Sequence, residues 1–370
     1  MRILFTCWAW PSHLYAMIPV AWACRAAGHD VLLAVPPALR ATALGTGLPV
    51  VTAGDDVDAE KAFREIVFTP PGAGGGPRVL TLLTELAEAM TGDLIKLIGR
   101  YRADLVVSDP TAFAGPVAAG ATGIPVIRHL YGTDLMSAAG RFLSGVIEPL
   151  AARFGAGEPG PFGAATIDPY PPGLQVPLGS RRLPVRPVPF NGPGECPAPL
   201  PPARRPRICV TWGTTPGRLD PSLFLAGDAA RALAGYEVVL AAVPEQRHLA
   251  GPLPDHVTVV SGPLHLILDG CDAVVAHGGA GSLLTAVTHG LPQVLVPRLP
   301  DHVRHAGRVH LAGAGIVVPA AEMTPRALAD AVAAVLDQPG YRAAAHRLRD
   351  EAAAQPAPAE LVADLAAVAG

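Results

Sequence analysis

The stretch Ala273-Val274-Val275-Ala276-His277-Gly278-Gly279-Ala280-Gly281-Ser282-Leu283-Leu284 decides the fold. Ala273–Ala276 is a short apolar run of strand length, a glycine-rich turn comes next, and Ser282–His289 carries a helical pattern. A strand, a tight turn and a helix in that order are the building unit of a parallel α/β sheet. Gly278, Gly279 and Gly281 let the main chain approach a ligand closely. The amides that open the helix point outward at the positive end of its dipole. The turn therefore reads as an anion site suited to a phosphate, to which His277 can add a hydrogen bond; a tight glycine turn with no ligand is the plain alternative. It is not a P-loop, because no Gly-Lys-Ser/Thr comes after it, and Gly-x-Gly-x-x-Gly is absent after the first strand of either half.

The same alternation extends in both directions. Gln293–Val296 and Ile316–Val318 read as further strands, with helices over Val303–Ala312 and Pro325–Leu336. Upstream, Arg207–Thr211, Glu237–Ala242 and Val257–Val260 read as strands, and Pro221–Ala234 as a helix. A Pro-dense segment, 183–206, reads as an extended interdomain linker. Before it the pattern repeats: strand Ile3–Cys7, helix His13–Ala27 closed by Gly28, strand Val31–Val35, a weaker strand Pro49–Val51, a long helix Val79–Tyr101, strand Leu105–Val107, helix Ala112–Thr122 and strand Val126–Arg128. Residues 55–77 read as a polar, glycine-rich loop. The chain is thus two α/β halves, each with a parallel sheet.

Composition narrows the function. The 370 residues suit two or three domains, and 50% hydrophobic content supplies a core for each. Charged residues make up 16% and the net charge is −3, which argues against a nucleic-acid partner. The apolar stretch near the start is too short to span a bilayer, and it leads into a turn and a helix rather than a cleavage region, so neither a membrane span nor a signal peptide is expected. The five cysteines, Cys7, Cys24, Cys196, Cys209 and Cys271, lack CxxC spacing and read as buried free thiols of a reducing, cytoplasmic compartment.

In open parallel sheets ligands bind beyond the carboxyl ends of the strands. His13 lies there, after the first strand, as a candidate general base, with a capping or buried histidine as the bland alternative. Asp109 comes after strand Leu105–Val107, where it either orients that imidazole or caps the next helix. Asp134 is a third candidate and a possible alternative base. Thr211-Trp212-Gly213-Thr214-Thr215 occupies the corresponding loop of the second half. Asp301-His302 come after strand Gln293–Val296, and an Asp beside a His suits sugar hydroxyls. His302, His305 and His310 do not make a convincing zinc site, because His310 leaves the face shared by the other two.

These residues carry a resemblance. The stretch from Pro11 to Pro37 and the stretch from His277 to Val318 are similar to the first strand–loop–helix–strand unit and the nucleotide-sugar site of bacterial natural-product glycosyltransferases of the GT-B fold, the group that attaches deoxysugars to polyketides and other antibiotics. The match runs over about residues 1 to 340. It implies two Rossmann-like domains facing across a cleft: an acceptor domain (1–182), the linker (183–206), a nucleotide-sugar domain (207–345) and C-terminal helices (346–370) that cross back to the first. It implies His13 as the acceptor-activating base paired with Asp109. On the donor side it implies His277 and the Gly279-Ala280-Gly281-Ser282 backbone as the pyrophosphate cradle, Gly213 and Thr214 opposite, Pro263 and Leu264 along the base, Asp301 and His302 at the sugar, and Ser12 beside His13. Trp8, Trp10, Leu14 and Tyr15 line the acceptor. Three positions depart from the family pattern: Ser12 stands where Gly is commoner, His302 where Gln is usual, and His305-Ala306 where Asn-Ala is usual.

The implied reaction is an inverting, metal-independent transfer from a nucleoside diphosphate sugar, dTDP-linked, to an aromatic polyketide or similar hydrophobic acceptor, by O- or C-linkage, with no cofactor. The partners are then two small molecules, and a homodimer is left open. An epimerase-type enzyme on nucleotide sugars shares the two-domain build and is the alternative; the apolar residues 8–15 count against it. A non-catalytic solute receptor would carry an export signal.

Overall fold

The computed structural model describes residues 1–68, 75–137, 140–157, 160, 162–177 and 179–370, with side chains at all of these except 75–77 and 141. The chain forms two units. The first comprises Met1–Pro169, Val176–Gly192 and Gln355–Gly370; the second comprises Tyr170–Gln175 and Pro193–Ala354.

The first unit is built on a seven-stranded parallel sheet of β1 (Arg2–Thr6), β2 (Asp30–Val35), β3 (Val50–Thr52), β4 (Leu105–Ser108), β5 (Val126–His129), β6 (Ala165–Asp168) and β7 (Arg182–Pro184), in the order β3-β2-β1-β4-β5-β6-β7. Ile3, Leu4 and Phe5 are fully buried, as are Leu105 and Val107 beside them, which is what a central strand covered on both faces requires. Helices α1 (Pro11–Ala26), α2 (Arg40–Leu44), α3 (Ala59–Val67), α4 (Gly75–Tyr101), α5 (Ala114–Thr122) and α6 (Gly140–Arg153) make the crossovers.

The second unit repeats the plan with six strands, β8 (Arg207–Thr211), β9 (Glu237–Ala241), β10 (Val257–Val260), β11 (Ala273–Ala276), β12 (Gln293–Leu295) and β13 (Gly315–Val317), in the order β10-β9-β8-β11-β12-β13. Its helices are α7 (Thr215–Leu219), α8 (Ala226–Arg231), α9 (Leu264–Ile267), α10 (Ala280–Thr288), α11 (Pro300–Leu311), α12 (Pro325–Asp337) and α13 (Pro339–Ala353), while α14 (Pro358–Ala369) belongs to the first unit and packs on α1. Ile208, Val210, Val275 and Val294 form one core with Leu328 and Val332 of α12.

In both sheets the chain order reverses beside the first strand, between β1 and β4 and between β8 and β11. Loops leaving those strands diverge and open a crevice at the carboxyl edge. His13 and Asp109 flank the first such point, and Gly213 and His277 the second.

Several expectations need correction. The stretch 55–77 is not all loop: Asp58 accepts a bond from the Lys61 amide at 3.0 Å and caps α3. Residues 69–74 lie outside the described residues. The Pro-dense stretch 183–206 is not one linker. Leu183 and Pro184 complete β7, an edge strand where a proline deprives no neighbour of a hydrogen bond, and the division between units falls after Gly192. The helix expected over Pro221–Ala234 is broken at Phe224 (φ −92°, ψ 89°) into a 3₁₀ turn and α8. Cys196 is exposed, although the other four thiols are buried. No described helix is long and apolar enough to cross a membrane.

Candidate active site

In the first unit, β1 runs into Cys7-Trp8-Ala9-Trp10, and Pro11 opens α1 at its first position, where a proline costs no hydrogen bond. His13 falls in the first helical turn and is 6% exposed. Its Nδ1 lies 2.9 Å from Asp109 Oδ2. Asp109 does not cap a helix, since α5 begins only at Ala114. Its Oδ1 instead accepts from the Thr111 amide at 2.8 Å and from the Thr111 hydroxyl. Thr111 Oγ1 accepts the Trp8 indole N–H at 2.8 Å and lies 3.5 Å from His13 Nδ1. The carboxylate is thus held from one side by Thr111 and faces the imidazole from the other. With Nδ1 engaged, Nε2 is the nitrogen left for proton transfer.

Aromatic rings surround the dyad. Tyr131 stacks on His13 with centroids 3.6 Å apart and planes at 21°, and Trp8 meets it edge-on at 5.5 Å. Trp8 stacks on Trp10, and Trp10 packs against Phe63 of α3. His129, at the end of β5, is buried, and burial pushes its imidazole down to about 4.

Asp134 is not brought into this dyad. It makes a two-pronged pair with Arg128 (2.6 and 3.2 Å) and accepts from the Met136 and Ser137 amides. Arg128 also donates to Thr166 Oγ1 and lies over the Phe162 ring. Both carboxylate oxygens of Asp134 are thus engaged by Arg128, and one of them also by the two amides. Leu14 and Tyr15 also diverge from the expected acceptor wall. One and two residues beyond His13 on a helix, they point about 100° and 200° away from it. Leu14 is 1% exposed, and Tyr15 packs edge-on to Phe190. Ser12 is exposed in the first turn of α1.

In the second unit, β11 ends at Ala276 and His277 comes next, 5% exposed. Gly279 immediately precedes α10, and no side chain caps that helix. The Leu283 amide already bonds to the Gly279 carbonyl, so the amides of Ala280, Gly281 and Ser282 precede the helix's own ladder. A Cβ at 279 would collide with His277 Nε2, so any larger residue there requires that ring to move. Gly213 approaches the same ring from β8. Its φ is +57°, and a Cβ there would lie 2.9 Å from His277 Cε1. Trp212, 1% exposed, anchors that loop in the core, and the Thr214 carbonyl accepts from Gln246 Nε2 at 2.7 Å. His302, in the first turn of α11, meets His277 edge to face, and Asp301 Oδ2 lies 3.9 Å from His302 Nε2. Burial lowers His302 to about 3 and, with His302 nearby, holds His277 well below the ordinary range. Both imidazoles are neutral near pH 7. Pro263 precedes α9, and Leu264 is buried within it. Among the described residues no group of three or more His, Cys, Asp or Glu side chains is placed to hold a metal ion.

Sequence reasoning missed four participants. Thr111 was within reach, since an Asp with a Thr two residues later forms a local turn in which the carboxylate takes the Thr amide and hydroxyl. Tyr131, Arg128 and Tyr170 carry no local signal. Tyr170 belongs to the second unit, is buried, and donates to the Ala280 carbonyl at 3.2 Å.

Family models of the erythromycin biosynthesis protein CIII-like type match in two parts, the N-terminal domain over residues 76–213 and the C-terminal domain over 228–368. The 10-deoxymethynolide desosaminyltransferase of Streptomyces venezuelae is 36% identical over 99% of this chain and 96% of its own length. The L-demethylnoviosyl transferase of Streptomyces niveus is 35% identical, covering 99% and 98%. The solved structure of the spinosyn rhamnosyltransferase SpnG with thymidine diphosphate is 33% identical and superimposes with a TM-score of 0.86, covering 99% of this chain and all of that one (100%). None of these is an epimerase. The chain belongs to the erythromycin biosynthesis protein CIII-like family and is a glycosyltransferase of the GT-B fold.

Proposed function

We propose that the protein moves a deoxysugar from a thymidine diphosphate donor to a hydrophobic, polyketide-type acceptor, inverting the anomeric carbon without a metal ion. The observation that carries this reading is the His13–Asp109 dyad, 2.9 Å between Nδ1 and Oδ2, at the β1/β4 crevice. A buried imidazole with one nitrogen on a carboxylate is built to accept a proton at the other.

In this reading the acceptor oxygen gives its proton to His13 Nε2 and attacks the anomeric carbon. The bond from that carbon to the diphosphate oxygen breaks, and its electron pair leaves on the diphosphate. Asp109 stabilises the imidazolium. In the second unit the opening amides of α10 and the neutral His277 N–H stabilise charge on the departing diphosphate. These donors are the support for a metal-free step. Asp301 and His302 hold sugar hydroxyls. Trp8 and Trp10 give the acceptor side its aromatic character. The thymidine preference rests on relatives whose structures hold that nucleotide.

The test is turnover of a panel of dTDP-deoxysugars with macrolide and aromatic aglycones, read out by mass spectrometry and by NMR of the product's anomeric configuration. Product with inverted configuration, formed equally in EDTA, is expected. His13→Ala should lower turnover by roughly 10²–10⁴, the size of a general-base contribution, while thymidine diphosphate binding is kept. A retained configuration, or full turnover by His13→Ala, would overturn the reading.

A further inference from the structure

We propose that Tyr131 is a positioning residue whose ring stabilises the imidazolium formed on His13; this rests on the reading of His13 as the base. The Tyr131 ring lies on the imidazole with centroids 3.6 Å apart and planes at 21°. The carboxylate of Asp109 approaches the same imidazole at Nδ1, 2.9 Å away. The charge that appears on proton uptake is therefore met at Nδ1 by an anion and across a face by an electron-rich π system. A cation gains from an aromatic face what a neutral ring does not. The contact thus strengthens as the acceptor proton is transferred, which is the condition for lowering the barrier rather than only aiding binding.

The surroundings of Tyr131 show why the ring stays there. Leu130, just before it, donates its amide to the Ile167 carbonyl at 2.9 Å. Asp134, three residues after it, is clamped by Arg128 and takes two backbone amides. Arg128 is itself fixed by Thr166, which bonds Ser180 at 2.6 Å. The turn bearing Tyr131 is pinned at both ends by buried polar groups. This assigns the Arg128–Asp134 pair a purpose: it holds an aromatic face against the base.

Replacing Tyr131 by a graded series, Phe and then mono-, di- and trifluorinated phenylalanines, withdraws π density with little change in ring size. Tyr131→Phe should keep turnover within about twofold. Turnover should then fall stepwise with fluorine, and Tyr131→Leu should lose about three- to thirtyfold, the range of a cation–π contact, in kcat with KM little changed. Added to His13→Ala, Tyr131→Leu should cost nothing further. A flat fluorine series, or an equal loss with and without His13, overturns the proposal while leaving the base in place. Full activity of His13→Ala alone would instead remove the base reading on which it rests. The fluorinated rings keep the test valid should Tyr131→Leu fold poorly.

Discussion

The rings of His277 and His302 meet edge to face with centroids 4.7 Å apart and planes at 76°. Both are buried, and burial together with the neighbouring ring makes it harder for His277 to carry charge, so the N–H it would offer a diphosphate in the proposed reaction is that of a neutral imidazole. A hydrogen bond to a charged acceptor contributes about 1.5–3 kcal/mol. His277→Ala should therefore weaken thymidine diphosphate binding about ten- to a hundredfold in titration calorimetry, with the fold intact by circular dichroism. An unchanged Kd would remove His277 from the cradle.

Thr111 holds the Asp109 carboxylate and takes the Trp8 indole N–H. Thr111→Val keeps the shape but leaves both partners short of a hydrogen bond inside the unit. A cost of about 1–3 kcal/mol in stability is expected, with kcat falling further than KM changes because Asp109 gains freedom. Thr111→Ser should restore most of the turnover. If Val and Ser variants turn over equally well, the hydroxyl plays no part in orienting the dyad.

Asp134 has a structural part. Asp134→Asn leaves the Arg128 guanidinium buried without its counter-charge, a change that costs about 3–5 kcal/mol in such pairs. Thermal unfolding should move to clearly lower temperature, while turnover per folded molecule, measured well below that transition, falls no further than the about three- to thirtyfold expected when the Tyr131 ring is released from His13. Collapse of turnover with unaltered melting would make Asp134 the proton acceptor after all.

Acid should destabilise the protein through its buried histidines. His129 is held at about 4 and His302 at about 3 by burial, against about 6.5 when unfolded. Below pH 6.5 the unfolded chain takes up protons that the folded chain refuses, so stability falls as pH falls. Each histidine adds a slope of about 1.4 kcal/mol per pH unit until its folded value is reached. Stability attributable to them is complete above pH 6.5. Calorimetric melting at pH 7.5, 6 and 5 should show a progressive fall, and His129→Gln should flatten it. Melting that is level from pH 7.5 to 5 would mean that these imidazoles are already charged in the native state.

Much of this was legible in the sequence because it is local. Apolar runs of strand length, helical stretches between them and glycines at the turns are enough to specify a parallel sheet covered on both faces, twice over. The turn at Gly278–Gly281 comes from the chain's own geometry, as does the place of His13 at the head of α1. Strands β6 and β7 escaped, since β6 (Ala-Thr-Ile-Asp) holds a single large apolar side chain and β7 ends in proline inside a Pro-dense stretch. Which side chains meet was decided by strand order. Asp109 is 96 residues from His13 and Tyr131 is 118 residues away; they reach the same imidazole only because β4 lies beside β1 and β5 beside β4. The same crowding turns Asp134 toward Arg128, and helical rotation turns Tyr15 away from His13. Partner choice among buried polar groups depends on desolvation and on what the neighbouring strand presents, and neither is a property of any short segment of chain.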